Sequence, residues 1–366
     1  MIMSLLNPFP HAFGLDITNY RMRFVDIERK RNFSGKYYSS LKSFNQIEIP
    51  EGLVRDGEIK DEKKLSDLIK SMLATAIPHK TAAKFVVASL PEPKTFIKVI
   101  NIPWMEETEV PQAVKWEIEK HLPFSIEEVT LDYKILASDQ KENKITILVG
   151  AAEQKIIQSY HRTLRLAGLI PLAIEVEAIA IARDLLTETD LEKPSLIIDI
   201  GRSRTNLILT AQGSVQFTTS LKFSGENIVQ NIMDELAVTR EEAVRLRDLC
   251  GVDPRRCKGE VRKIIFNSFD NLFKHTNITL QFYQDHINAS GLPEKILLTG
   301  SSSMIAGLES IITDETKIPS EIVNPSAKIK PIRNGQINEK FINILPGLST
   351  AIGLALRGAA SDVHEE

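Results

Sequence analysis

The chain has 366 residues, 43% hydrophobic and 25% charged, with Lys+Arg 45 against Asp+Glu 48 and a formal net charge of −3. That supplies apolar material for two or more cores, and it gives no electrostatic reason to expect nucleic acid, which selects a strongly basic face. Cys250 and Cys257 have no His or Cys company at metal-ligand spacing, so free thiols in a reducing cytosol, and a cytoplasmic protein, are expected.

In chain order, Met1 to Phe13 carries Pro8 and Pro10 and lacks the basic start and sustained apolar run of a signal peptide. From Gly14 to Ile27 an apolar strand delivers Asp16 at its end, a short turn follows (Thr18, Asn19, Tyr20, Arg21), and a second apolar strand returns through Arg23. Leu65, Leu68, Ile69, Met72, Leu73 and Ala76 recur at helical spacing and stop before Pro78. Lys84 to Leu90 reads as a strand, and a distinct module begins near Phe85. Its strand Phe96 to Ile102 follows a turn at Pro91 and Pro93; a helix from Glu106 to His121 comes next, then strands around Leu131 to Leu136 and Ile145 to Ala151. A helix from Ile156 to Ala167, ended by Gly168, completes the module.

The stretch Leu196 to Thr210 repeats the grammar of the first hairpin, with Asp199 at the strand end and Gly201, Arg202, Ser203, Arg204 and Thr205 in the turn. Asp16 and Asp199 are 183 positions apart, half the chain length. Each hairpin aims a carboxylate and turn N–H groups at one place, which suits a phosphate. An Asp at a strand end also serves simply to cap a turn. Thr239 with Glu242 three residues on is a capping box. The basic cluster Arg255, Arg256, Lys258, Arg262 and Lys263 reads as a solvated loop and helix start, and helical periodicity runs from Val261 to Phe273. Strand Lys295 to Thr299 meets Gly300, Ser301, Ser302 and Ser303, a glycine-led turn where backbone approaches a ligand. Phe341 to Leu356, interrupted by Asn343, Pro346, Gly347 and Gly353, falls short of the roughly 20 residues a membrane span needs. It reads as a buried helix opening near Pro346.

At 100° per residue, Val110, Ala113, Val114, Ile118, His121 and Leu122 form one stripe of their helix, and Trp116 points away from it with Gln112 and Lys120 alongside. A Trp off the core face needs a second surface, either a neighbouring subdomain or a peptide groove.

The two hairpins, the Leu297 to Ile305 loop and the Pro346 to Leu356 helix resemble, in order, the two phosphate loops, the adenosine loop and the hinge helix of actin-like ATPases. Within that superfamily, Ile100-Asn101-Ile102-Pro103-Trp104, Val114 to Phe124, Leu131-Asp132-Tyr133, Ala167-Gly168-Leu169 and Glu175-Val176-Glu177 resemble the PilM family of type IV pilus assembly proteins, with FtsA a more distant cousin. The resemblance runs from about Phe13 to Leu356 and implies an α/β, actin-like two-lobed fold of duplicated ribonuclease-H-like domains, with an inserted α+β subdomain of the SHS2 type. The implied division is 1–84 and 171–194 for subdomain 1A, 85–170 for the inserted 1C, 195–224 and 291–345 for 2A, 225–290 for 2B, and 346–366 for a hinge helix returning to 1A and a tail.

The same resemblance implies a cytoplasmic scaffold of pilus assembly and twitching motility, peripheral on the inner membrane. It would bind ATP and magnesium between its lobes and the N-terminal peptide of a PilN-like membrane protein. Membrane association then comes through the partner; pilus motor proteins and a homo-oligomer stay open. The nucleotide would meet Asp16, Thr18, Asn19, Tyr20, Arg21 and Arg23 in the first lobe. In the second it would meet Asp199, Gly201, Arg202, Ser203, Arg204, Thr205, Gly225, Glu226, Arg247, Gly300, Ser301, Ser302 and Met304, with Asp16 and Asp199 reaching magnesium through water. Glu177 stands where a water-orienting acid would, and a helix-start acid favoured by the dipole reads equally well. The family's turn has Gly and small Ser where this chain has Thr18 to Arg21, and Val244 replaces a frequent Glu, which implies ATP binding with weak or absent hydrolysis. Trp116, Lys120, Pro123, Phe124, Val87 and Ser89 are the expected peptide groove. The alternatives are an FtsA-like filament-forming division tether, disfavoured by the acidic residues 361–366, and a small-molecule kinase, for which no substrate motif is found.

Overall fold

A computed structural model describes residues 11–32, 34–123, 125–286, 292–332 and 335–359. The chain divides into two compact units, Met1–Asp184 with Ser326–Ile344 and Ser349–Glu366, and Leu185–Pro325 with Leu345–Leu348. The division drawn from sequence gave 185–194 to the first half and 326–344 to the second; here both stretches change sides.

In the first unit β1 (Ala12–Ile17), β2 (Arg21–Arg31) and β3 (Tyr37–Glu48) form an antiparallel meander in which Asp16 lies opposite Arg23. A small ribbon, β4 (Val54–Arg55) and β5 (Glu58–Ile59), leads to α1 (Glu62–Ala74), whose Asp61 cap accepts from the Lys64 N–H. Strand β6 (Phe85–Leu90) is followed by β7 (Thr95–Ile102), α2 (Val110–Glu119), β8 (Val129–Asp139) and β9 (Lys144–Glu153). Strands β7, β9 and β8 pair antiparallel in that order, and α2 buries Val110, Val114 and Ile118 against Ile100, Ile102, Ile145 and Ile147. Helix α2 starts four residues later than the sequence suggested, with Pro111 in its first turn, where a missing N–H costs nothing. Then come α3 (Gln154–Leu166), ended by Gly168 at φ +82°, β10 (Ile170–Val176) and α4 (Glu177–Leu185).

The second unit runs α5 (Glu188–Glu192), β11 (Ser195–Ile200), β12 (Thr205–Ala211), β13 (Ser214–Leu221), α6 (Gly225–Leu236), α7 (Arg240–Cys250), α8 (Glu260–Ser268), α9 (Asp270–His286), β14 (Lys295–Thr299), α10 (Leu308–Thr316) and β15 (Ser320–Ile322). Its strands order as β15-β14-β11-β12-β13, with β11 parallel to β14 and antiparallel to β12. Strand β12 is buried at every position, which is why its middle, Leu207-Ile208-Leu209, reads as a continuous apolar run rather than an alternation. The expected helix over 261–273 is two helices, because the chain breaks at Phe269 while Phe269 and Phe273 stay in edge contact across the junction. Cys250 and Cys257 are joined as a disulfide with Cα atoms 5.6 Å apart, which overturns the expectation of free thiols. Gly251, at φ +53°, ends α7 and starts the turn that brings Cys257 back to Cys250.

The chain then re-enters the first unit through β16 (Ile329–Lys330), α11 (Gly335–Ile344) and α12 (Ser349–Ala359). The six-stranded sheet there is ordered β10-β6-β1-β2-β3-β16. The buried helix expected to open near Pro346 opens at Ser349, since a short 3₁₀ turn takes Leu345–Gly347. Helix α12 lies on β1 and α4 so closely that a Cβ on Gly353 would come within 1.9 Å of the Ala180 carbonyl oxygen, and one on Gly14 within 2.2 Å of that of Ala351. Among the described residues no single helix is long and apolar enough to cross a membrane.

Candidate functional site

In the first unit, the β1–β2 turn is closed by the Thr18 N–H donating to the Arg21 carbonyl (2.9 Å), while Asn19 accepts from the Gly57 N–H (3.2 Å). Tyr20 accepts from the Ile49 N–H through its carbonyl (2.8 Å), and Arg21 reaches Glu48 (3.3 Å). At the end of β1, Asp16 is 2% exposed. One of its oxygens accepts from Arg23 (3.2 Å) and the other from the Ser89 hydroxyl (3.1 Å). Arg23 is itself 6% exposed and also donates to Gln46 (3.1 Å). Burial pushes the Asp16 carboxyl above its usual range, with Arg23 and Ser89 pulling the other way.

In the second unit, Asp199 stands opposite Asn206, as Asp16 stands opposite Arg23. The two hairpins share one register, and in the second the cross-strand partner is a neutral amide, donating at 3.4 Å. Around Asp199 the fold draws its loops together. Gly201 donates its N–H to the Arg204 carbonyl and accepts from the Gly225 N–H, and Arg202 accepts from the Glu226 N–H, so the turn seats on the first amides of α6. Ser224 caps that helix. A Cβ on Gly225 would fall 2.0 Å from the Ser302 hydroxyl and 3.4 Å from Arg247, and one on Gly300 (φ +97°) 2.5 Å from the Asp199 carboxylate. The glycines are therefore what lets backbone from three loops meet beside one acid.

Charge in this cluster is arranged around Glu226, which accepts from Arg202 (3.1 Å) and Arg240 (2.5 and 2.7 Å). Hydrogen bonds from Arg240, then Arg202, hold its carboxyl below the usual range. Arg204 donates to Ser220 (3.0 Å) and Arg247 to Asp248 (2.8 Å). Thr205 is fully buried in β12, Ser203 and Ser301 are half-buried, Ser302 is 4% exposed and Met304 54% exposed. A cluster of arginines with glycine-opened backbone and a helix start suits polyphosphate.

Glu177 is the first residue of α4 and half-buried. Both it and Asp16 raise the pKa of buried Tyr160, whose hydroxyl donates to the Gly57 carbonyl, although burial is the larger cause. Sequence-predicted Asp16 and Glu177 thus share one neighbourhood.

A magnesium ion is implied by the fold family, and the two acids differ in how they suit it. At Asp16 a guanidinium already balances the carboxylate, so a divalent cation beside it meets a like charge and the donors do not fit. Asp199 is half-buried and accepts from the Asn206 amide across the hairpin. Among the described residues no group of three or more His, Cys, Asp or Glu side chains is placed to hold a metal.

On α2, Trp116 is 65% exposed, so it does not pack beneath a neighbouring subdomain. Lys120 is exposed and pairs with Glu117 (2.8 Å), Pro123 is exposed, and Phe124 lies outside the described residues. His121, expected at the core edge, is exposed, beside Lys98 (3.1 Å). Val87 and Ser89 correct the expectation: β6 is flanked by β1 and β10, and both side chains are buried, 2% and 1% exposed, so neither faces a peptide. Ser89 belongs instead with Asp16. Sequence reasoning missed the Asp16–Arg23–Ser89 grouping and the clasp on buried Glu175, which accepts from Arg183 on α4 (2.6 Å) and from Arg357 on α12. The acid–base pair at 16 and 23 was findable, because a closed four-residue turn puts those positions opposite each other.

Comparison with known proteins follows the same lines. The family model described as Type IV pilus assembly protein PilM matches residues 14–359. A solved structure titled PilM-PilN type IV pilus biogenesis complex is 26% identical and superimposes with TM-score 0.78, covering 96% of this chain and 100% of that one. MreB5 of Spiroplasma citri bound to ADP is similar in fold alone, at 14% identity and TM-score 0.52 over 87% of this chain and 93% of that one. The cell division protein FtsA of Pseudomonas aeruginosa is 23% identical over 243 residues, 60% of this chain and 54% of that protein; the chain thus spans about half the length of this curated relative.

Proposed function

The chain belongs to the type IV pilus assembly protein PilM family and has its actin-like α/β fold, and from that premise we propose that it is a nucleotide-binding scaffold that holds the N-terminal cytoplasmic segment of a PilN-like membrane protein. The observation that carries the partner is the likeness over 96% of the chain to a structure titled as a PilM-PilN complex. The scaffold works in the cytoplasm, against the inner membrane. ATP is the nucleotide, a reading supported by the duplicated hairpins and by the glycine-opened cluster around Asp199.

Magnesium, when it arrives with the triphosphate, screens phosphate charge and keeps most of its own waters. Asp199, at the end of β11 beside the glycine-opened loops, would meet those waters. Asp16 is withheld from them by Arg23, whose fixed positive charge serves the first hairpin in the metal's stead. Gly201 and the Arg202 to Thr205 turn, with Gly225, Ser302 and Arg247, hold phosphate and nucleoside; Glu226 restrains Arg202. Since one of the two acids is tied up, binding outlasts catalysis, and hydrolysis is weak or absent. Trp116, Lys120 and Pro123 on the exposed side of α2 take the peptide, the aromatic ring providing the anchor.

Titration calorimetry tests both parts. ATP should bind with magnesium and still bind, less than about tenfold more weakly, in chelator, because the metal would be held by the protein through water at one acid only. Heat-silent titrations in both conditions remove the nucleotide reading. The N-terminal peptide of the PilN-like partner should lose at least about tenfold in affinity for a folded Trp116→Ala variant. An unchanged dissociation constant takes Trp116 out of the site.

A further inference from the structure

Neither the nucleotide cluster nor α2 accounts for the far end of the β2–β3 hairpin. Its cross-strand pairs Arg29↔Ser39, Lys30↔Tyr38 and Arg31↔Tyr37 carry the ribbon out to a turn at Asn32 to Lys36, where the Asn32 N–H donates to the Lys36 carbonyl. Arg29, Lys30, Arg31 and Lys36 are all exposed there, with Glu28 the single acid among them, pairing with Lys30 (2.5 Å). The rest of the chain is net acidic, so this density of positive charge is local.

The aromatic residues of the tip are placed with the same economy. Tyr37 is 60% exposed, and the guanidinium groups of Arg29 and Arg31 lie 4.7 and 5.8 Å from its ring centre. On the other side of the ribbon, Lys330 sits 3.8 Å over the Tyr38 ring. Arg31 donates to the Gly35 carbonyl (2.9 Å), which stiffens the turn. Cations set around an exposed tyrosine match the layering of a lipid interface: phosphate outermost, then a zone that favours aromatic rings.

We propose that the tip of the β2–β3 hairpin is a membrane-docking surface that binds the headgroups of anionic phospholipids directly. Nucleic acid suits it less well, because four cations at one hairpin end are few to follow a phosphate backbone, whereas a bilayer needs only point contacts. The docking is independent of the nucleotide reading and adds to any membrane association that comes through a partner protein.

The test is co-sedimentation of the full chain with vesicles of phosphatidylglycerol in phosphatidylcholine, against vesicles of phosphatidylcholine alone. The expected result is binding to the anionic vesicles only, weakened by salt. The double variant Arg29→Gln/Lys36→Gln should reduce partitioning by about 25-fold, at about fivefold per cation. Lys115→Gln/Lys141→Gln, which removes two exposed cations elsewhere, should leave it within about twofold. Lys36→Gln alone keeps the test open should the double variant fail to fold. Equal binding to neutral vesicles, equal loss in the two double variants, or a preference for single-stranded oligonucleotide over anionic vesicles would overturn the proposal.

Discussion

Removing the Arg23 side chain should cost stability in a way that depends on pH. The Arg23–Asp16 contact is 3.2 Å, with side chains 7% and 3% exposed. At an effective dielectric of about 20, unit charges at that distance attract by about 5 kcal/mol, and breaking a buried pair by deleting one partner typically costs about 3–5 kcal/mol. Arg23→Gln should therefore lose about 3–5 kcal/mol at about pH 8, where Asp16 is left as an uncompensated buried carboxylate. Burial already raises the Asp16 carboxyl and Arg23 lowers it, so the variant's folded state holds the proton more tightly still. A raised folded value means that the proton's stabilisation is complete below the ordinary 3.8 and drains away as pH rises through the folded value. The penalty of the variant must accordingly shrink as pH falls through that raised value toward the ordinary 3.8. Denaturant unfolding read by tryptophan fluorescence suits the measurement, since both tryptophans, Trp104 and Trp116, belong to the first unit. The double variant Asp16→Asn/Arg23→Gln should recover most of the loss. A penalty that stays constant as pH is lowered to about 4, or one under about 1 kcal/mol at about pH 8, would refute the ionic reading of this pair.

Gly353→Ala places a Cβ 1.9 Å from the Ala180 oxygen, and should lower the unfolding free energy by about 1–3 kcal/mol in the same assay; an unchanged midpoint counts against the tight α12–α4 contact. Ile198→Ala removes a fully buried side chain from β11 and should cost about 2–5 kcal/mol, read by circular dichroism because the second unit holds no tryptophan. Glu58, hydrogen-bonded first by Lys60 and then by Lys94, should titrate at about 2 by NMR, and Lys94→Met should move it toward 4.5. A midpoint indifferent to Lys94 argues that this bond is absent in solution.

The two hairpins were legible because a strand that must end in an acid and return is written in consecutive residues. The matching register was implicit in the turn length. That Arg23 would spend its charge on Asp16 required knowing that both sit inside the sheet, which depends on β6 and β3 closing over them. The reading of Val87 and Ser89 as groove residues failed for the same non-local reason: the near-continuous apolar run Phe85-Val86-Val87-Ala88 reads as a strand, but only β10, some eighty residues on, takes its second edge. That Trp116 points off the apolar stripe of α2 was legible, because helix periodicity is a local property; that no neighbouring subdomain covers it, and that His121 is exposed, was not. The junction of α8 and α9 was invisible because Phe266, Phe269 and Phe273 keep an apolar rhythm through the break.

Helix α12 covers β1, the first strand of the sheet, and ties itself to β10 through Arg357 and Glu175. During synthesis β1 leaves the ribosome more than three hundred residues before the element that shields it, so one side of the nascent sheet stays bare while the whole second unit is being made. Cells that produce this chain must protect that apolar side for the interval, and a premature stop before Ser349 would release a product whose oldest part has never been sealed.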